Sequence, residues 1–132
     1  MGIEANKALV LEYFRRLQAG GPTVAELLAE DVTWWVPQSS ELGGTHRGKS
    51  AVLALMSEGA DLYRLPLRVT IEEVVAERDW VCVQLVVEAE SAAGRPYRND
   101  YHFAFRVREG KIAAVREYVD TKYASELLFP GR

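Results

Sequence analysis

Apolar positions recur every three or four residues in the first part of the chain and every two in the second half. Val10, Tyr13, Phe14 and Leu17 stand at i, i+3, i+4 and i+7, one face of a helix over roughly Asn6 to Ala19, with Glu12, Arg15 and Arg16 on the other side. Gly20, Gly21 and Pro22 stop it, since proline cannot continue the hydrogen-bond ladder. Thr23 and Glu26 have the spacing of a capping box ahead of Val24, Leu27 and Leu28, which predicts a short second helix. Asp31 to Pro37 reads as a strand, Gln38 to Gly48 as a polar, glycine-rich loop, and Lys49 to about Asp61 as a third helix with Val52, Leu53, Leu55 and Met56 on its core side.

From Pro66 onward the period is two. Leu67, Val69 and Ile71 alternate with Arg68, Thr70 and Glu72, and a turn follows at Glu77 to Asp79. Trp80 to Ala89 is an almost continuous apolar run, which predicts a central strand in which Cys82 is an inert core residue. Ser91 to Arg95 is a hairpin turn; Tyr97 to Arg108 alternates strongly; Arg108 to Lys111 turns the chain; Ile112 to Asp120 is the last strand. The tail from Thr121 keeps Tyr123, Leu127, Leu128 and Phe129 and is expected to pack. Helices followed by hairpin-linked strands predict an α+β fold with an antiparallel sheet, able to curl around the helices and leave a cavity.

Composition narrows the function. A length of 132 residues predicts one domain, residues 1–132, with no room for a separate cofactor-binding half. Sixteen basic and nineteen acidic residues give a net charge of −3, which argues against a nucleic-acid surface and against anionic membranes. No apolar run approaches a membrane span, and the start of the chain lacks the pattern of a signal peptide. A single cysteine excludes an intrachain disulfide, so a cytoplasmic location is expected.

No metal-ligand spacing, phosphate loop or nucleophile elbow occurs, so neither a metal nor a cofactor is expected. What stands out is polar residues on faces that should be apolar. Asn99 shares its strand face with Tyr101, Phe103 and Phe105; Gln84 and Glu88 interrupt an apolar strand; Glu117 alternates with Val115 and Val119. A buried polar group is costly unless it finds partners, and a lined cavity supplies both partners and a purpose. Tyr13 lies on the apolar stripe of the first helix, where its hydroxyl needs a partner. His102 and Asp100 fall on the opposite face of their strand, and His46 in a loop; Trp34 and Val36 share one side of the first strand, with Trp35 on the other.

The stretches LAEDVTWWVP (28–37), THRGKSAV (45–52) and YRNDYHFAFRVREGKIAAVREYVDT (97–121), with LVLEYFRRLQAG (9–20), resemble the SnoaL-like and ketosteroid isomerase-like proteins of the nuclear transport factor 2-like superfamily. The resemblance implies a cone: three helices on a curved, mostly antiparallel sheet, an apolar pocket at the wide end, and a homodimer paired through the sheet. By the same resemblance Tyr13 stands where ketosteroid isomerases carry the tyrosine that holds the oxyanion, but their base corresponds to Val36 and their protonated aspartate to Phe103. Against limonene epoxide hydrolases, Glu117 matches the last-strand acid, while the Arg and Asp positions read Gln84 and Val86.

Two readings follow. In the first, the chain is a cofactor-independent isomerase, cyclase or hydrolase acting on a hydrophobic cyclic ligand. Glu117 is the acid–base group and Tyr13 its partner; Asn99, Tyr101 and Gln84 orient the substrate; Phe14, Leu17, Trp34, Val36, Val86, Glu88, Phe103, Val115 and Val119 complete the wall. In the second, the domain binds a ligand or serves as a dimeric scaffold without catalysis. A cavity smaller than ~300 Å³ favours the second.

Overall fold

The computed structural model describes residues 2–131. Helix α1 spans Ile3–Gln18, a single 3₁₀ turn Val24–Leu27, strands β1 Leu28–Val36 and β2 Gly44–Arg47, helix α2 Lys49–Ala60, strands β3 Tyr63–Glu77, β4 Trp80–Ser91, β5 Pro96–Arg108 and β6 Lys111–Val119, and helix α3 Thr121–Leu128. The sheet order is β2-β1-β6-β5-β4-β3. Every pairing is antiparallel except β1 with β6, which run parallel. The α+β class and the curved, mostly antiparallel sheet agree with the expectation.

Several local expectations change. The supposed loop 38–48 contains β2, whose four residues pair with Thr33 to Val36. A segment that short has no detectable period; the free edge of β1 supplies its partner. Thr23 makes no side-chain cap. Glu26 instead accepts from Arg16 at 3.0 Å, and Arg16 also donates to the Thr23 carbonyl, so the turn is tied to α1 rather than capped. The tail packs as α3, started by Asp120, whose carboxylate accepts from Tyr123 N–H.

The inner face carries the core: Val81, Val83, Leu85 and Val87 of β4 against Phe103, Phe105 and Val107 of β5, covered by Val10, Tyr13 and Phe14 of α1 and Val52 and Leu55 of α2. Each such side chain contributes roughly 1.5–3 kcal/mol of hydrophobic stabilisation on full burial. At Glu109 and Gly110 the chain reverses in two residues, both with positive φ (51° and 74°), the conformation that matches the twist of a tight hairpin.

Two devices shape the wide end. In β3 the register shifts between Ile71 and Glu73. The extra residue bends the strand and moves the inward face from Leu67, Val69 and Ile71 to Val74 and Ala76. Gln18, at the end of α1, accepts from Val69 N–H at 2.9 Å and donates to the Leu67 carbonyl at 2.6 Å. Its amide stands in for a missing strand at the open edge of β3, and the sequence alone offered no sign of it.

Candidate functional site

Between α1, α2, α3 and the curled sheet lies an apolar cavity of about 210 Å³. Tyr13, Phe14 and Leu17 enter from α1; Trp34 and Val36 from β1; Tyr101, Phe103, Glu117 and Val119 from β5 and β6. Tyr63, Leu67 and Val69 of β3 close one side. The rim joins loop residues Ser40 to Leu42 to Thr121 and Ala124 of α3. Hydrogen bonds Ser39–Thr121 (3.0 Å) and Ser125–Glu41 (2.6 Å) hold loop and helix together there. Gly43 fits because a Cβ would stand 2.5 Å from the Pro37 carbonyl oxygen.

Two carboxyls line the cavity among the described residues: Glu41, exposed at the rim and hydrogen-bonded to Ser125, and Glu117, set deeper on β6. The β5–β6 register sets it opposite Phe103, and the Trp34 indole N–H donates to its Oε1 at 3.0 Å. It is half-buried, and the surface it leaves open is surface of the cavity. Burial pushes its pKa from 4.5 up to about 7, against the indole hydrogen bond, which favours the ionised form. Tyr13, packed edge-on against Phe14 and near Phe105, has its hydroxyl pKa raised by burial and then by the Glu117 charge. No group among the described residues hydrogen-bonds to that hydroxyl.

A second polar cluster lies at the β3–β5 side. Tyr97 and Tyr101 hydroxyls are 2.7 Å apart, Tyr63 and Tyr101 3.4 Å, and Asn99 Nδ2 donates to Tyr97 at 2.9 Å. Tyr63 and Tyr101 reach the cavity wall; Tyr97 and Asn99 stand behind them. Tyr63 was not among the expected residues. Its strand was expected to start only at Pro66, so it carried no face assignment.

The expected residues divide accordingly. Tyr13, Phe14, Leu17, Trp34, Val36, Tyr101, Phe103, Glu117 and Val119 come together at the cavity. Asn99 and Val115 share the inner face but lie behind the wall, Val115 packed between Trp34 and Phe105 in the register. Gln84, Val86 and Glu88 require correction: they point to the outer face. The inward residues of β4 are Val81, Val83, Leu85 and Val87, and Gln84, Val86 and Glu88 pair with His102, Asp100 and Arg98. Cys82 shares that outer face and is half-exposed rather than a core residue. The polar residues Gln84, Glu88 and Glu90 mark this parity as the outer one, and Val81, Val83, Leu85 and Val87 mark the inner one.

Among the described residues no group of His, Cys, Asp or Glu could hold a metal ion, and no helix is long and apolar enough to cross a membrane. No curated protein matches the chain. Among solved structures, an NTF2-like protein from Burkholderia xenovorans LB400 is 27% identical, with 97% of this chain and 98% of that one covered at a TM-score of 0.80. A Jannaschia protein (strain CCS1), named for its likeness to SnoaL-like polyketide cyclases, is 15% identical, with 100% and 97% covered at 0.84. A Rhodopseudomonas palustris protein, named as a candidate isomerase, is 20% identical, with 90% and 94% covered at 0.78. The last two are likenesses of fold. The family model of the SnoaL-like domain matches residues 10–115, ending two positions before Glu117. That stretch runs from α1 into β6 and builds most of the cavity wall, and the chain belongs to the SnoaL-like domain family.

Proposed function

We propose that the chain is a cofactor-independent isomerase, cyclase or hydrolase of a small hydrophobic cyclic compound, with Glu117 as the group that moves the proton. One observation carries this reading: a carboxyl in the apolar interior of the cavity, held by a single indole N–H, with its pKa pushed up to about 7. Near neutral pH such a group is present in both forms, so it can accept a proton from one position and return it to another. Tyr13 offers a protonated hydroxyl to the oxygen on which charge develops. The relatives named for cyclase and isomerase chemistry support the reaction class by analogy of fold.

The cavity volume favours a second reading. About 210 Å³ is below the ~300 Å³ of common ligand sites. Val36 and Phe103 stand where related isomerases carry aspartates, so a domain that binds without catalysis is the alternative. The test is solvent exchange. Acetophenone and cyclohexanone are incubated in D₂O with wild type and with Glu117→Gln, and deuterium next to the carbonyl is followed by NMR. Exchange by wild type alone supports the enzyme; no exchange by either, with binding retained, leaves the binding domain.

We also propose a homodimer through the outer sheet face. Val75 is 59% and Tyr118 42% exposed there. The Arg116 guanidinium lies 4.2 Å from the Trp35 ring centroid and 5.6 Å from that of Tyr118, which presents a semi-polar aromatic surface for a second copy. A half-exposed lone thiol at Cys82 is in keeping with a reducing, cytoplasmic setting.

A further inference from the structure

The tyrosine cluster holds one of its hydroxyls, that of Tyr63, only loosely. Asn99 Oδ1 accepts from Asp100 N–H at 2.9 Å, which fixes the amide; its Nδ2 then donates to Tyr97 (2.9 Å) and to the Asp120 carbonyl (3.1 Å). The Tyr97 hydroxyl therefore accepts from Asn99 and shares one proton with Tyr101 at 2.7 Å, either hydroxyl donating. The Tyr63 hydroxyl has only loose contacts in the cluster: Tyr101 at 3.4 Å, long for O–H···O, and Tyr97. Its proton is the one least firmly held, and Tyr63 and Tyr101 are both cavity-wall residues. Burial and the charge of Glu117 raise both pKa values, so the donors stay protonated at any neutral pH.

The cavity limits what meets that donor. An apolar cavity of ~150 Å³ takes a benzene ring. About 210 Å³ therefore accommodates one ring with a short substituent. We propose that the Tyr63–Tyr101 pair selects one-ring compounds bearing an acceptor oxygen, above all a carbonyl, over hydrocarbons of the same shape. This rests on the reading of the cavity as a ligand site, and it adds the substrate class.

Acetophenone and ethylbenzene differ at the oxygen and hardly in shape. Their dissociation constants are measured by NMR titration against wild type, Tyr63→Phe/Tyr101→Phe and Glu117→Gln. The double variant is expected to lose about tenfold in acetophenone affinity, about 1.4 kcal/mol, while ethylbenzene changes by less than about twofold, which also reports that the variant is folded. The carbonyl stretch of bound ¹³C=O acetophenone is expected below its frequency in hexane in wild type and to move back toward that frequency in the double variant, which separates the pair from the Tyr13 hydroxyl. Equal losses for both ligands in the double variant, a ratio that changes only in Glu117→Gln, or a carbonyl stretch that is the same in wild type and the double variant overturns the proposal and leaves the cavity as a ligand site. If neither compound binds wild type, the ligand-site reading fails and this proposal fails with it.

Discussion

Replacing Glu117 by Gln should stabilise the protein at alkaline pH and leave it unchanged at acid pH. Below the unfolded-state pKa, near 4.5, the carboxyl is protonated in both states and contributes no pH dependence. As the pH rises from there, the unfolded chain ionises while the folded chain keeps its proton until about 7. The folded state is therefore penalised progressively through that window and by a constant amount above it. The interval from 4.5 to about 7, at 1.36 kcal/mol per pH unit, sets the penalty at about 3 kcal/mol. That is a large fraction of the 5–15 kcal/mol typical of a domain. Glutamine keeps an acceptor oxygen for the Trp34 N–H and carries no charge, so it removes the penalty without opening a void. Urea denaturation followed by far-ultraviolet circular dichroism, from pH 4 to pH 9, gives the two stability curves. They should coincide near pH 4 and separate by about 3 kcal/mol above pH 7.5. Parallel curves across that range would refute the argument that burial governs Glu117.

Trp34→Phe removes the hydrogen bond that favours the carboxylate, so the Glu117 pKa should climb above 7, by about one to two pH units for a charge-assisted bond, in a ¹³C carboxyl titration; no upward movement contradicts the assignment. Gly43→Ala sets a Cβ 2.5 Å from the Pro37 carbonyl oxygen and should cost about 1–3 kcal/mol in a urea melt, with a neutral result showing that the loop at the rim yields freely. Gln18→Ala frees the backbone of β3 and should cost about 1 kcal/mol, and it should accelerate amide exchange at Val69, which would stay slow if the clamp were unimportant. Ala104→Arg sets a long cation in the middle of the outer sheet face and should yield a folded monomer by sedimentation velocity; an unaltered dimer would move the interface elsewhere.

The strongest local signals in the sequence came from elements with a clean period. β5 alternates from Tyr97 to Val107, and every one of those alternate positions is buried in the structure. The same parity on β6 singled out Glu117, because a charged residue on an apolar stripe is visible without coordinates. On β4 the alternation is equally visible, with Val81, Val83, Leu85 and Val87 on one parity and Gln84, Glu88 and Glu90 on the other, but a polar residue on a strand reads either as cavity lining or as solvent face, and Gln84, Val86 and Glu88 were read as lining. Tyr63 was missed because β3 begins three residues ahead of Pro66 and reverses its faces at a bulge. Periodicity, which is a local property of the backbone, was enough to determine the α+β class, most of the elements and the identity of the carboxyl. The raised pKa of that carboxyl, the volume of the cavity, the Gln18 clamp and the hydrogen-bonded tyrosine cluster were decided by the tertiary structure alone. Each depends on distances between groups many residues apart in the chain, and on how completely water is removed from around them.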